Sequence, residues 1–417
     1  MTLKISVLGA SGSIGRAALS LALSFSDLLE VTALAAHSNL AILNEQIRLF
    51  KPALVSVSTD ELRRELASLL ADLPRSLQPE LVFGESGLIS AAIDSGAQMV
   101  VSAVVGAAGL KPTWAAVNSH LKVALANKES LVLAGDLIMG KALGTLSPID
   151  SEHSAIFQAL GGRLRVPELK KIILTASGGP FRGFSRKDLE SVTRQMALKH
   201  PTWSMGPKIT VDSATMMNKG LEIIEAHHLF GLSYDQIEVL VHPLSLIHSM
   251  AQFHDGSILA QLGPADMRLA IAYALSYPER WPIVERAERL RAKSYKEELD
   301  HKKKPEGAVK DLSDYQALSS IPDLSFEPPD LHAFPAMALA QAAGRAGGLA
   351  PSILNGANEE AAAAFLDQKL SFIGISEVVG ECLERLHSDE RLESIDQALE
   401  ADQRAKALAK QLIAKRF

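Results

Sequence analysis

Along the first 125 residues, short apolar runs alternate with segments of helical period. The runs are "LKISVLGA", "EVTALAA", "ALVSVS", "ELVFG", "AQMVVSAVV" and "KVALA"; segments such as "NLAILNEQIRLF" and "DELRRELASLLADL" lie between them. That alternation predicts repeated βαβ units about a parallel sheet. An α/β fold is expected, opening with a doubly wound Rossmann-type domain over residues 1–149. Strand-like runs ("KKIILTAS", "QIEVLVHP", "SILAQLG") also mix with helical segments between 150 and 283, but the loops there are richer in Gly, Ser and charge. Loops that carry function on a sheet scaffold look like this, so a central α+β catalytic domain is expected. Residues 284–328 are densely charged, then Pro-spaced, and read as a linker. From 329 to 417 the Ala-rich stretches "PAMALAQAAGRAGG" and "ANEEAAAAFLDQKLSFIGISEVVGECLERLH" predict a small C-terminal α-helical domain.

Composition narrows the partners. At 417 residues and 47% hydrophobic, the chain has material for two or three cores. A net charge of −6 argues against nucleic acid, which needs an excess of Lys and Arg, but is compatible with a small basic pocket for a phosphorylated metabolite. The single cysteine, Cys382, excludes an internal disulfide and fits a reducing compartment. No run reaches the ~18 apolar residues of a membrane span. The first strand begins at Leu3, leaving no room for a signal peptide, so a cytoplasmic protein without a membrane partner is expected.

The first strand leads into "VLGASGSIGRAALSLAL", where Gly9, Gly12 and Gly15 allow a tight turn and a close approach of backbone to a pyrophosphate at a helix N-terminus. This is a variant of the dinucleotide fingerprint. A site that prefers NAD ends its second strand on an acidic residue for the ribose hydroxyls. Here the strand runs into His37, Ser38 and Asn39, with no carboxylate to repel a 2′-phosphate, which favours NADP. Arg16 is either a charge for that phosphate or a solvated helix residue. "ALANKES" places Asn127, Lys128 and Glu129 at the C-terminal edge of the sheet, where open α/β folds bind ligands.

In "SPIDSEHSAIF", Asp150 and Glu152 flank Ser151. If residues 148–152 are extended, the two carboxylates share one face with Ser151 opposed; a loop turns all three inward. Adjacent carboxylates repel unless one is protonated or a cation lies between them. Protonation gives an acid/base pair and a cation gives an oxygen-ligand site for Mg²⁺ or Mn²⁺, while an exposed acidic loop is the plain alternative. "ITVDSATMMNKGLEIIEAHHLF" reads as a strand end, a polar turn and a helix carrying Ser213, Asn218, Lys219 and Glu222. Ser, Asn and Lys near a helix start suit a phosphate, and Glu222 is a candidate third oxygen ligand. Glu225 and His228 form a Glu-x-x-His pair, as in carboxylate-bridged di-iron sites, but the spacing recurs at Glu298/His301 and Glu384/His387, and chance accounts for all three. "IILTASGGPFRG" presents Ser177, Gly178 and Gly179 as a second anion cradle or a plain turn. "KHPTWSMGPK" sets Trp203 in a Pro/Gly loop and reads as a lid, whereas His242 and His248 read as satisfied core histidines.

Together these stretches resemble the 1-deoxy-D-xylulose 5-phosphate reductoisomerase family, through "GASGSIG", "VVGAAGL", "ANKES", "DSEHSAIFQ", "TASGGPF", "HPTWSMG", "ITVDSATMMNKGLE", "HPLSLIHSM", "DGSILAQLG" and "LNGANEEAAAAFL". The resemblance implies metal-dependent isomerisation and NADPH-dependent reduction of that sugar phosphate to 2-C-methyl-D-erythritol 4-phosphate, commonly drawn as retro-aldol cleavage and aldol rejoining. It implies that Asp150, Glu152 and Glu222 bind Mg²⁺ or Mn²⁺, with Lys128 and Ser151 on substrate hydroxyls. Ser177, Ser213, Asn218 and Lys219 would hold the phosphate, and His200 and Trp203 would belong to a closing flap. Ser11, Gly12, Ser13, Ile14, Asn39, Asn127, Glu129 and Gly206 would line the NADPH site. A homodimer is also implied. Two departures stand out: His37 and Ser38 replace the family's frequent Gly-Lys, and the charged stretch around 293–311 is longer than the usual linker.

Overall fold

The computed structural model describes residues 2–142, 144–201, 203, 205–283, 321 and 323–416. Contacts divide the chain into two units. The first holds the residues up to Asn127, Gly140–Ser154 and the stretch from Asp266; the second holds Lys128–Met139, Ala155–Ala265 and the C-terminal residues.

In the first unit the apolar runs become strands because each can be covered on both faces. β1 (Leu3–Leu8) is buried over its last four residues and lies at the centre of a seven-stranded sheet. The others are β2 (Leu29–Ala35), β3 (Leu54–Val57), β4 (Glu80–Phe83), β5 (Met99–Ser102), β6 (Lys122–Leu125) and β7 (Leu146–Pro148), in the order β4-β3-β2-β1-β5-β6-β7. Every pair is parallel. The order reverses between β1 and β5, which is the switch point where such sheets bind ligands. Helices α1 (Ser13–Ser24), α2 (Leu40–Phe50), α3 (Asp60–Leu69), α4 (Gly84–Ile93) and α5 (Leu110–Asn118) follow the strands. Asn39 and Thr59 cap α2 and α3 by accepting from Ile42 N and Leu62 N. Phe25, Leu34, Val101 and Ile5 form the core with Ile271 and Leu275 of α12 (Met267–Ser276), and Trp281 stacks on Phe25 at 4.8 Å. Burying one such aliphatic side chain is worth about 1.5–3 kcal/mol.

The second unit carries a mixed sheet, β11 (Ile258–Leu262), β10 (Ile247–Phe253), β8 (Leu169–Ala176) and β9 (Ile237–Val241), in that order. β9 runs parallel to β8, while β10 is antiparallel to both β8 and β11. β10 falls on "IHSMAQF", within the run read above only for its histidines. His242 and His248 are indeed buried and satisfied: His242 Nδ1 donates to Ser325 O at 3.0 Å, Leu246 N donates to His242 Nε2 at 3.3 Å, and His248 Nε2 meets Pro264 O at 3.2 Å. The helical C-terminal region comprises α13 (Ala336–Ala346), α14 (Ala350–Leu366), α15 (Phe372–Arg385) and α16 (Ile395–Arg416). Most of the linker expected over 284–328, with Glu298 and His301, lies outside the described residues; in its described end, Glu327 pairs with Val241 at the edge of β9.

Two local expectations are corrected. Residues 209–214 are not a strand end but part of α10 (Pro207–Ala214), which starts with Gly206 as N-cap and Pro207 in its first turn and has Lys208 and Asp212 paired one turn apart. The segment after β7 does not stay extended: α7 (Ser151–Ala159) begins at once, so Glu152 sits in its first turn, where a carboxylate favours the N-terminal dipole.

Candidate active site

At the switch point of the first unit, Gly9 and Ala10 N–H both donate to Ala35 O, at 2.9 and 2.8 Å, pinning the turn to the end of β2. Gly9 has φ +85°, and a Cβ there would lie 2.3 Å from Ala103 O; at Gly15 it would lie 2.2 Å from Gly9 O. Only glycine fits either place. Gly12 is the N-cap of α1, and Gly12 and Ser13 are exposed, with Ser11 and Ile14 half-buried beside them. The result is a helix N-terminus with open backbone donors, suited to a pyrophosphate. Asn127 ties the neighbouring loops together: its Nδ2 donates to Val104 O at 2.7 Å and Gly106 O at 3.0 Å. Asn39 spends its side-chain oxygen on capping α2. Arg16 is half-buried in the first turn of α1, and its Nε is a buried donor with no hydrogen-bond partner among the described residues.

Asp150 follows β7 at the same C-terminal edge. Ser151 N donates to Asp150 Oδ1 at 3.2 Å, and Ser151 Oγ donates to Glu152 Oε2 at 2.6 Å. The serine therefore bridges the two carboxylates instead of standing opposed to them. Hard carboxylate oxygens with no thiolate are a donor set for Mg²⁺ or Mn²⁺.

In the second unit, α6 (Lys128–Ala142) begins on Lys128, and α11 (Met217–Phe230) begins after Met216, whose φ of +63° makes a sharp corner with α10. A left-handed conformation at a non-glycine residue costs about 1–2 kcal/mol. That corner turns Asn218, Lys219 and Glu222 inward together. Lys128 Nζ donates to Asn218 Oδ1 at 2.9 Å and lies 3.5 Å from Glu222 Oε1, Asn218 Nδ2 donates to Glu222 Oε1 at 2.5 Å, and Lys219 pairs with Glu222 Oε2. All but Asn218 are buried: Lys128 is 6% exposed, Lys219 4% and Glu222 1%. Buried ammonium groups beside an amide are charged and neutral donors of the kind that suits a phosphate.

Beside them the second glycine turn approaches α10 so closely that a Cβ on Gly179 would lie 2.9 Å from Ser213 O. Ser177 Oγ accepts from Gly179 N at 3.2 Å and meets His200 Nε2 at 3.1 Å. Trp203 N donates to His200 Nδ1 at 2.9 Å. With Nδ1 accepting, the neutral imidazole carries its proton on Nε2 and donates to Ser177, whose own hydroxyl proton is then directed elsewhere. Burial holds the His200 pKa down at about 4, so the ring is neutral near pH 7. Trp203 rests half-buried against the His248 ring, with centroids 6.3 Å apart.

The chain matches three family profiles: 1-deoxy-D-xylulose 5-phosphate reductoisomerase over residues 5–135, its C-terminal domain over 146–230, and a further DXP reductoisomerase C-terminal domain over 262–408. It is 47% identical over 414 residues to the 1-deoxy-D-xylulose 5-phosphate reductoisomerase of Halalkalibacterium halodurans, covering 98% of this chain and 99% of the relative. The chain belongs to the 1-deoxy-D-xylulose 5-phosphate reductoisomerase family. The reductoisomerase of Desulforamulus reducens is 45% identical over 416 residues, covering 99% of both chains. Among solved structures, the reductoisomerase from Zymomonas mobilis in complex with NADPH aligns with a TM-score of 0.83 at 37% identity over 99% of both chains. A DOX-P reductoisomerase in complex with NADPH, fosmidomycin and magnesium aligns at 0.85 and 35%, over 99% of this chain and 98% of that one. The reductoisomerase fold thus carries this chain's parallel seven-stranded sheet and helical C-terminal region.

Sequence reasoning missed Lys208, Asp212 and Asn358. Lys208 Nζ lies 2.6 Å from Asp212 Oδ2 and 3.7 Å from Glu129 Oε1, and Asn358 Nδ2 donates to Asp212 Oδ1 at 2.9 Å. The i,i+4 pairing of Lys208 and Asp212 was visible, but reading the segment as a strand hid it. Glu225/His228 is not a di-iron pair: His228 Nδ1 contacts Asp136 Oδ1 at 3.2 Å.

Proposed function

We propose that this reductoisomerase binds 1-deoxy-D-xylulose 5-phosphate with its phosphate at Ser177, Ser213, Asn218 and Lys219, and converts it with NADPH and a divalent cation to 2-C-methyl-D-erythritol 4-phosphate. The observation that carries the reading is the buried Lys128–Asn218–Lys219–Glu222 cluster in a chain that matches its relatives from end to end. Bound NADPH supplies reducing power and a bound cation supplies Lewis acidity, with Asp150, Glu152 and Glu222 as the cation's ligands. Lys128 and Ser151 orient the substrate hydroxyls. His200 stays neutral, donates to Ser177 and, with Trp203, closes the site against water. Ser11, Gly12, Ser13, Ile14, Asn39, Asn127, Glu129 and Gly206 line the cofactor site; all but Gly206 fall within residues 1–149, and most of the substrate chemistry falls on those that follow.

A homodimer is part of the reading. β11 lies at the edge of its sheet with Ile258 48%, Leu259 49% and Leu262 38% exposed, a surface that a second copy of the chain would cover. Sedimentation equilibrium giving a monomer would overturn that part. Among the described residues no helix is long and apolar enough to cross a membrane, and Cys382 is a buried thiol, which supports a cytoplasmic site of action.

The deciding experiment mixes the protein with 1-deoxy-D-xylulose 5-phosphate, NADPH and Mn²⁺, follows the nicotinamide absorbance, and examines the product by NMR. Cofactor oxidation with a branched carbon chain is expected. No oxidation by folded, metal-loaded protein overturns the assignment, and an unbranched product marks a plain dehydrogenase.

A further inference from the structure

A line of paired charges runs behind the first turn of α6, used by neither the glycine turn nor the phosphate cluster. Lys208, in the first turn of α10, bridges Asp212 and Glu129. Asp212 is 2% exposed and braced by Asn358 of α14. The next residue on that helix, Glu359, lies 2.6 Å from Lys406 Nζ of α16, which also reaches Asp402 at 2.8 Å; Asn355 Nδ2 donates to Asp402 at 2.8 Å. All of these residues belong to the second unit. Each carboxylate of the line lies within ion-pair distance of Lys208 or Lys406, so each charge removed from water faces an opposite one. Desolvation works against the Lys208 ammonium, but Asp212, Glu129 and Glu359 outweigh it and push the pKa above the usual lysine range. Lys208 stands two residues past Gly206 and Glu129 directly follows Lys128, so this pair ties the C-terminal root of the flap segment to the substrate lysine's helix.

We infer that Lys208, braced by Asp212 and Asn358, is a positioning residue that holds the Glu129 carboxylate, and with it the first turn of α6, in place for NADPH. The inference rests on the reading of Glu129 as part of the cofactor site. Without the ammonium, the Glu129 and Asp212 carboxylates lose the cation they share, and Glu129 is held less firmly.

The test measures NADPH Kd by calorimetry on the full chain for Lys208→Met, Glu129→Gln, their double variant and Lys208→Arg, with kcat, the substrate KM and thermal melting alongside. Lys208→Met is expected to weaken NADPH by roughly tenfold or more while the substrate KM moves much less. Lys208→Arg should recover most of the loss. The double variant should bind no more weakly than Glu129→Gln alone, because Lys208 acts through that carboxylate. If Glu129→Gln keeps its affinity within about twofold, the reading of Glu129 falls. If Glu129→Gln weakens NADPH but Lys208→Met does not, or if the two losses add, the positioning role is overturned. Should Lys208→Met fail to fold, Asn358→Ser removes the brace and keeps every charge; a smaller loss in NADPH affinity supports the inference, and unchanged affinity refutes it.

Discussion

Acidification should open the flap segment by a route visible at one imidazole. His200 is 8% exposed and its pKa is held at about 4 by burial, against 6.5 when exposed. A folded value below the unfolded one means that the open state binds more protons at low pH, so closure is fully favoured above about pH 6.5 and weakens as pH falls toward 4. The whole difference, about 2.5 units, corresponds to roughly 3 kcal/mol, of which about 2 kcal/mol is lost by pH 5. The contact that fails is specific: a proton on Nδ1 removes the acceptor of Trp203 N–H, which lies 2.9 Å away. The assay is hydrogen exchange at the Trp203 amide between pH 7 and 4.5, corrected for intrinsic exchange, with tryptophan fluorescence in parallel. Protection should fall roughly twentyfold between pH 7 and 5, and His200→Gln, which has no titrating group, should lose that slope. Equal protection at both pH values, or the same slope in His200→Gln, would refute the reasoning.

Three further outcomes are expected. Gly15→Ala places a Cβ 2.2 Å from Gly9 O, so the turn must spread and NADPH affinity should fall about tenfold or more by fluorescence titration; affinity near the parent's would show that the turn is not the cofactor cradle. Lys219→Met removes a buried charge beside Glu222, and the substrate KM should rise roughly 10–100-fold, with competition by inorganic phosphate weakened in step; an unchanged KM would place the phosphate elsewhere. Removal of divalent cations by chelation should abolish turnover reversibly, and Asp150→Asn should cost roughly a thousandfold in kcat; parental turnover by Asp150→Asn with Mg²⁺ present would refute the metal ligation.

The parallel sheet was legible because a strand covered on both faces writes itself as a mostly apolar run, and β1, β2, β5 and β6 are all of that kind. β10 was harder, since His248 broke the apolar signal although it is buried and hydrogen-bonded. α10 was misread for a related reason: "KITVDSA" alternates like a strand, and only the capping glycine, the following proline and the Lys208–Asp212 pair make it a helix. Candidate site residues were legible where chemistry is local. Ser151 between two carboxylates and Asn218–Lys219 at a helix start are examples. Glu129–Lys208–Asp212–Asn358 could not be read, because its members lie 146 residues apart at the far end and meet only through tertiary packing.

That packing also explains how an acidic protein keeps buried lysines at the substrate cluster. An ammonium in a low-dielectric interior costs several kcal/mol unless an opposite charge and further hydrogen bonds offset it. Glu222 meets that need for Lys128 and Lys219 together, and Asn218 joins them by accepting from one and donating to the carboxylate. A phosphate bound beside Lys219 would add a second negative group to the one that Glu222 supplies. Replacing Glu222 with Gln takes the same carboxylate away from both buried lysines at once. The consequence is a variant that loses turnover even at saturating Mg²⁺, yet gains melting temperature on adding inorganic phosphate more steeply than the parent does. A Glu222→Gln protein whose melting responds to phosphate no more than the parent's would show that the lysine pair does not sense the anion.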